Sequence, residues 1–424
     1  MVALPFIYFS ILFLFSVRKQ GFDVYAYLLL IFIISSFFSI LFVENNLYSQ
    51  SSVPTYPIGI VAPISYCLLL TICLQPFKRF DSNKLKTLTD NINMKRYNLV
   101  VYVFFGMFVL LLAISVTKIQ DIVMAQNLAA MRDDFYHGDQ EDIWSHFQGI
   151  QRYLIAGISM IASSCRILLI FFFINIIYLK KSIWFNIMTL LGSMTSLILS
   201  LYIVDRSGFV MWIMLFGFIC VLFKNNIKFK HIKPYLLMVL PLAAVIIAYL
   251  VLVTTSRFGE QQGGNAMDGV IVYAGQSFLN YCNFFNHLGI DAPFSLQPLF
   301  PLTYKLLGLP DYFEQCAIVE AYYHHGVSNF STFLGCILSI SGKIVMFLFV
   351  FFYVCICNAF LKRTNKGNIS LSKLVLFLIV GIIPANGLFA YPYYNYAMTI
   401  VVLIWFFLAG FLKRKNIKVL FPNK

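Results

Sequence analysis

The sequence predicts an all-α polytopic membrane protein of about 11 spans, and three observations lead there. Hydrophobic residues fill 60% of the 424 positions and charged residues only 11%, for a mean hydropathy of +0.82. A soluble domain with that surface would aggregate. The apolar residues fall into runs of about 17–25, the length that crosses a bilayer as helix. Finally, the basic residues gather in every second joint between the runs.

In chain order, the first run covers 3–17. It is short, lacks the basic stretch that precedes a cleavable signal, and is closed by Arg18 and Lys19 as a stop-transfer flank. Runs 24–43, 57–76 and 98–117 follow, then a long polar segment, 118–152. Runs 153–179 and 183–203 are parted by Lys180 and Lys181. Run 208–223 barely crosses and follows the very short turn Asp205-Arg206-Ser207-Gly208. Run 234–253 leads to a second long segment, 255–330. The chain closes with 342–361, 374–390 and 396–412. Proline, glycine or charge punctuates most joints. No internal repeat is detectable, so the halves do not mirror each other as in an inverted-repeat carrier.

Lysine and arginine set the orientation. One set of joints holds 23 of the 31 basic residues, including Arg18, Lys78, Arg79, Lys95, Arg96, Lys180, Lys224, Lys233, Lys362, Lys373 and the tail from Lys413. The other side holds 14 of the 17 acids, all but Asp23, Asp81 and Asp90. The chain therefore reads as one membrane domain over 1–424 with its N-terminus outside and its C-terminus in the cytoplasm. Loops 77–97, 224–233 and 362–373 are then cytoplasmic, and 118–152 and 255–330 extracytoplasmic. The net charge of +14 serves topology and contact with anionic lipid headgroups, not nucleic acid. The nine cysteines show no metal-binding spacing. Most lie in or beside apolar runs; Cys282 and Cys316 fall in the large outer loop, where a disulfide is chemically open to them.

The outer segments hold the polar chemistry. Residues 118–152 begin with helical spacing (Ile119, Ile122, Val123) and become a stretch of mixed Asp and His without metal-ligand spacing; no metal or other cofactor is expected. In 255–330, Val270, Ile271, Ala274, Phe278, Tyr281 and Phe285 recur at helical spacing, with Asp268, Gln276, Ser277, Asn280, Asn283 and His287 between them. That pattern predicts an amphipathic helix, too polar to span, lying at the membrane interface with one face toward a cavity. Prolines 293, 298, 301 and 310 then break the chain. Glu320, Tyr323, His324 and His325 follow, a cluster able to bind hydroxyls and move protons. A modestly apolar segment through Ile340 reads as dipping into the membrane before Gly342.

Five arginines lie outside the cytoplasmic set. Arg132 and Arg152 sit among acids, where ordinary ion pairs account for them. Arg166 lies near the middle of the fifth run, where a charge costs at least about 2.5–3.5 kcal/mol and demands a partner or an anionic ligand. Arg206 and Arg257 stand at the outer ends of spans, Arg206 beside the Asp205 carboxylate. Guanidinium groups offer a fork matched to phosphate oxygens.

This arrangement resembles the Wzy-type oligosaccharide repeat-unit polymerases of bacterial surface polysaccharide pathways. The resemblance covers nearly the whole chain in architecture. Locally it rests on Asp205-Arg206-Ser207-Gly208, on Thr255-Ser256-Arg257 at the start of the large loop, and on Tyr323-His324-His325-Gly326-Val327-Ser328-Asn329-Phe330 at its close. In some members a glycine follows the loop arginine by eleven residues; here Gly269 follows Arg257 by twelve. The resemblance implies a GT-C-like membrane glycosyltransferase architecture in the bacterial inner membrane. It further implies that a growing glycan is transferred from undecaprenyl diphosphate to the non-reducing end of a new lipid-linked repeat unit. Arg206, Arg257 and Arg166 would hold the diphosphate, and His324, His325, Glu320 or Asp268 would supply the general base. A chain-length regulator and a flippase of the same pathway are the implied protein partners. An O-antigen ligase, a lipid-linked oligosaccharide flippase or other transporter, and a sugar acyltransferase are the alternatives.

Overall fold

The computed structural model describes residues 1–413 except 52, 56, 81–84, 86, 89–91, 125–148, 203–204, 228–232, most of 236–250, 252–265, 289–294, 324–329 and 365–367. Apolar sequence dictates the helices and polar caps end them. α1 (Ala3–Gln20) stops at Gly21, whose φ of +74° favours glycine. α2 (Val24–Glu44) starts where the Asp23 carboxylate accepts from Ala26 N at 2.8 Å. α3 (Val61–Lys78) and α4 (Met94–Met124) follow, α4 absorbing the helical pattern expected to open the first polar segment. α5 (Ile150–Ala162) passes through a 3₁₀ stretch, Ser163–Ile167, into α6 (Leu168–Ile174) and a final π turn, Asn175–Leu179.

Ser182 caps α7 (Ile183–Ser193), which is bent by 43° against α8 (Thr195–Tyr202); α9 covers Ser207–Phe223. After α10 (Ala266–His287), α11 (Pro301–Leu306) and α12 (Tyr312–Tyr323) comes the long α13 (Thr332–Thr364). Side-chain caps from Ser370 and Asn395 start α14 (Leu371–Asn386) and α15 (Tyr396–Phe411). The only strands among the described residues are a two-residue parallel pair, β1 (Thr87–Leu88) with β2 (Asn368–Ile369).

Six described helical stretches are long and apolar enough to cross a bilayer: Val24–Glu44, Val61–Lys78, Met94–Val116, Ile150–Leu179, Ser207–Asn226 and Thr332–Leu361. The bent pair α7–α8 makes seven if counted as one span; α14 and α15 are apolar but shorter. Run 234–253 lies largely outside the described residues. Bulky apolar side chains face outward along these helices, Phe351 and Phe352 being 58–62% exposed. Such a surface is stable only in lipid. The chain is an all-α, multi-pass membrane protein.

The basic joints converge on one end of the bundle. There Lys224 donates to the Phe22 carbonyl, Arg96 Nη1 to the Phe411 carbonyl at 3.0 Å, and Lys181 to Asn98 Oδ1 at 3.1 Å. Asn93 N donates to the Leu412 carbonyl at 2.9 Å, beside the β1–β2 pair. Helix ends far apart in sequence thus share one basic face.

Two elements depart from simple up-and-down helices. α13 is broken at Gly342 (φ +80°). The rings of Phe333 and Phe349 lie 6.4 Å apart, whereas a straight helix would separate residues sixteen apart by about 24 Å. The arm 332–341 therefore turns sharply back toward 343–364 at Gly342, a bend that the expected segment dipping toward the membrane did not include.

α10 corrects an expectation. It does not lie across the surface of the bundle but packs lengthwise on α2 and against α3 and α13. Ser35 and Ser39 hydroxyls donate to the Ala274 and Gly275 carbonyls at 2.8 and 2.6 Å, and the Tyr281 and Ser65 hydroxyls bond at 2.9 Å. It is buried through a close backbone approach to α2, while Ser277 Oγ, Asn280 Oδ1 and Asn283 Oδ1 on its polar side are left without a hydrogen-bond partner among the described residues. Cys282 and Cys316 are free thiols in separate neighbourhoods, the first near Cys67 and the second near Cys336.

Candidate functional site

A buried polar region lies where α9, α10, the folded-back arm of α13 and the end of α14 meet. Arg206 stands at the start of α9 and is 9% exposed. Its guanidinium carbon sits 4.2 Å from the centre of the Tyr273 ring, a stacking distance at which the ring both attracts and orients the cation. Asp205 spends its carboxylate on Ser207, accepting from the backbone N at 2.9 Å and from the hydroxyl, which fixes the turn.

Beneath Tyr273 the chain is irregular but well tied. The Phe330 ring packs on Tyr273 at 4.9 Å and on Phe389 at 5.3 Å. Asn280 Nδ2 donates to the Phe330 carbonyl at 2.8 Å. Ser331 N and Phe333 N donate to the carbonyls of Phe389 and Gly387 at 3.0 and 2.8 Å. Backbone outside a helix survives in a membrane bundle only with such partners. Thr332 takes φ +65°, a conformation that costs a β-branched residue about 1–3 kcal/mol and is typical of functional sites. The arm it opens points the positive end of its dipole into this region.

Several buried polar groups here are left without a hydrogen-bond partner among the described residues: the whole amide of Asn386, Asn280 Oδ1, Ser277 Oγ and Ser331 Oγ. Asn386, Ser277 and Ser331 are at most 1% exposed. Each orphan costs about 1–3 kcal/mol unless a ligand or solvent meets it. The region is equipped to hold a polar, negatively charged guest.

Arg166 occupies a related but separate position. It lies in the 3₁₀ break of the Ile150–Leu179 stretch, 8% exposed, and its Nε has no hydrogen-bond partner among the described residues. The break is held by Trp405, whose Nε1 donates to the Ser164 carbonyl at 2.8 Å. Tyr393 is within electrostatic range of Arg166 and donates its hydroxyl to the Ile379 carbonyl at 2.7 Å. The buried segment 387–395 thus touches both arginine environments, through Phe389 at one and Tyr393 at the other.

Of the other expected site residues, Asp268 lies in the first turn of α10, a little over one turn before Tyr273. Glu320 lies near the end of α12, and both carboxylates are half-buried. Arg257, His324 and His325 lie outside the described residues. Sequence reading overlooked Asn386 and the segment Leu388-Phe389-Ala390-Tyr391-Pro392-Tyr393-Tyr394. The signal was present: an aromatic run around a proline, directly after an asparagine at a span end.

No protein-family model, curated protein or solved structure matches this chain significantly.

Proposed function

We propose that this protein is a bacterial polysaccharide repeat-unit polymerase, acting at the outer face of the inner membrane with its basic end in the cytoplasm. Eleven spans and a GT-C-like architecture belong to this reading. The observation that carries it is Arg206: a nearly buried guanidinium, oriented by Tyr273, beside a re-entrant helix start and a set of orphaned amides and hydroxyls. A buried, cationic polar region suits a diphosphate attached to a long isoprenoid.

In the proposed reaction, undecaprenyl diphosphate carries the growing glycan. The non-reducing-end hydroxyl of a new lipid-linked repeat unit attacks the anomeric carbon of that glycan. A C–O bond to the acceptor forms as the C–O bond to the diphosphate breaks. The hydroxyl proton passes to a base among His324, His325, Glu320 and Asp268, with His324 the first choice. Undecaprenyl diphosphate departs with the bonding electron pair, its charge met by Arg206 and Arg257, with Arg166 adding positive potential from below.

Deletion of the gene, read on glycan gels, tests this. Loss of the long-chain ladder with retention of single-repeat product is expected. At least one of His324→Ala, His325→Ala and Glu320→Gln should reproduce that pattern at normal protein abundance, since a general base contributes about 10²–10⁴-fold. Loss of all transfer to the final acceptor would instead identify a ligase, and loss of lipid-linked units from the outer leaflet a flippase.

A further inference from the structure

Away from Arg206, at the basic end of the bundle, a cavity of about 230 Å³ opens between α1 and α3. Its lining includes Leu12, Phe15, Ser16, Arg18, Lys19 and Lys78. Three cations thus share one concavity. Among the described residues none of the three forms a salt bridge; Lys78 Nζ stands 5.8 Å from the centre of the Tyr25 ring. Two helix C-termini account for part of this charge, but not for a cavity between them.

The floor of the cavity gives the second observation. Ser16 is 4% exposed, and its hydroxyl has no hydrogen-bond partner among the described residues, although a helical serine can normally donate to the carbonyl four residues back. The wall gives a third. Phe15 is 69% exposed, its neighbour Leu14 66%, and Ile11, one turn back on α1, 49%, so apolar surface continues from the cavity along the helix. A cationic rim, an unsatisfied hydroxyl below it and an apolar track beside it match one ligand shape: an anionic headgroup with acyl chains attached.

We infer that this cavity is a binding site for an anionic phospholipid, its phosphate held by Arg18, Lys19 and Lys78 over the Ser16 hydroxyl and its chains lying along Ile11, Leu14 and Phe15. Basic pockets between membrane helices recognise such headgroups through charge and hydrogen bonds together. The site clamps α1 to α3 at the basic end.

Arg18 and Lys19 also flank the first span, so neutralising them risks changing topology. Two other substitutions leave that signal intact. Lys78→Gln keeps Arg79 at the same joint, and Ser16→Leu fills the cavity without touching a charge. The full chain, purified in neutral detergent, is titrated with phosphatidylglycerol or phosphatidylcholine and the bound lipid is counted by native mass spectrometry. One phosphatidylglycerol should be retained preferentially. Lys78→Gln should weaken it about fivefold, the usual weight of one cation near a headgroup, and Ser16→Leu at least as much. Lys180→Gln, at the same end but outside the cavity, should leave binding unchanged. Inorganic phosphate in millimolar excess should fail to displace the lipid. Equal binding by wild type and both cavity variants overturns the proposal. So does an equal loss in Lys180→Gln, which would mean diffuse attraction, or full displacement by phosphate, which would mean a free-anion site.

Discussion

Arg206→Ala and Arg257→Ala are each expected to abolish polymerisation while the protein stays in the membrane at near-normal level. Removing one preorganised donor to developing negative charge typically costs about 10²–10³-fold in rate. Arg206 is the better-defined case, because its guanidinium carbon lies 4.2 Å from the centre of the Tyr273 ring. Arg206→Lys should recover activity only in part: the ammonium keeps the charge but loses the fork and the flat face that stacks on Tyr273. Tyr273→Leu should therefore fall between wild type and Arg206→Ala, since it removes orientation and leaves charge. Glycan gels with immunoblots of the membrane fraction read both quantities. If both alanine variants build full ladders, the diphosphate role assigned to these residues is wrong.

The second large effect concerns the fold. Gly275 lets α10 approach α2 so closely that a Cβ there would lie 2.6 Å from the Phe38 carbonyl oxygen and 2.7 Å from its carbon. Those are backbone atoms that cannot rotate away. Gly275→Ala should force the helices apart, breaking the bonds from Ser35 and Ser39 to the α10 backbone. Overpacking against side chains costs about 1–3 kcal/mol, and a backbone obstacle should cost more. Gly106, in α4, has nothing within 4 Å of its notional Cβ. Gly106→Ala should be neutral or stabilising by up to about 1 kcal/mol. Thermal loss of monodisperse protein in detergent distinguishes the two; equal melting would refute the close-packing account of α10.

The contrast between these residues shows what sequence could and could not reveal. Helix positions were legible because lipid imposes run length and composition directly. Of the bend at Gly342, only the short apolar segment before it was legible; the bend itself was not. Arg206 stood out as a charge in a turn of four residues. The burial of α10 was not legible: an amphipathic pattern reports a polar face, not whether that face meets water or the interior of the bundle. Asn386 gave no periodic signal, since its meaning depends on the segment 330–332 brought to it across the fold. The 3₁₀ break at Arg166 had a local cue in Ser163 and Ser164, but Trp405, which holds it, is more than two hundred residues away.

Reconstitution addresses the central claim directly. Purified protein in proteoliposomes would be given undecaprenyl-diphosphate-linked repeat units as both donor and acceptor, with no nucleotide sugar, metal or other protein added. The expected result is lipid-linked glycan of two, three and more repeats together with free undecaprenyl diphosphate, one released per linkage formed, and neither product with Arg206→Ala. Unchanged single repeats in the presence of stable, monodisperse wild-type protein would contradict the assignment as a polymerase.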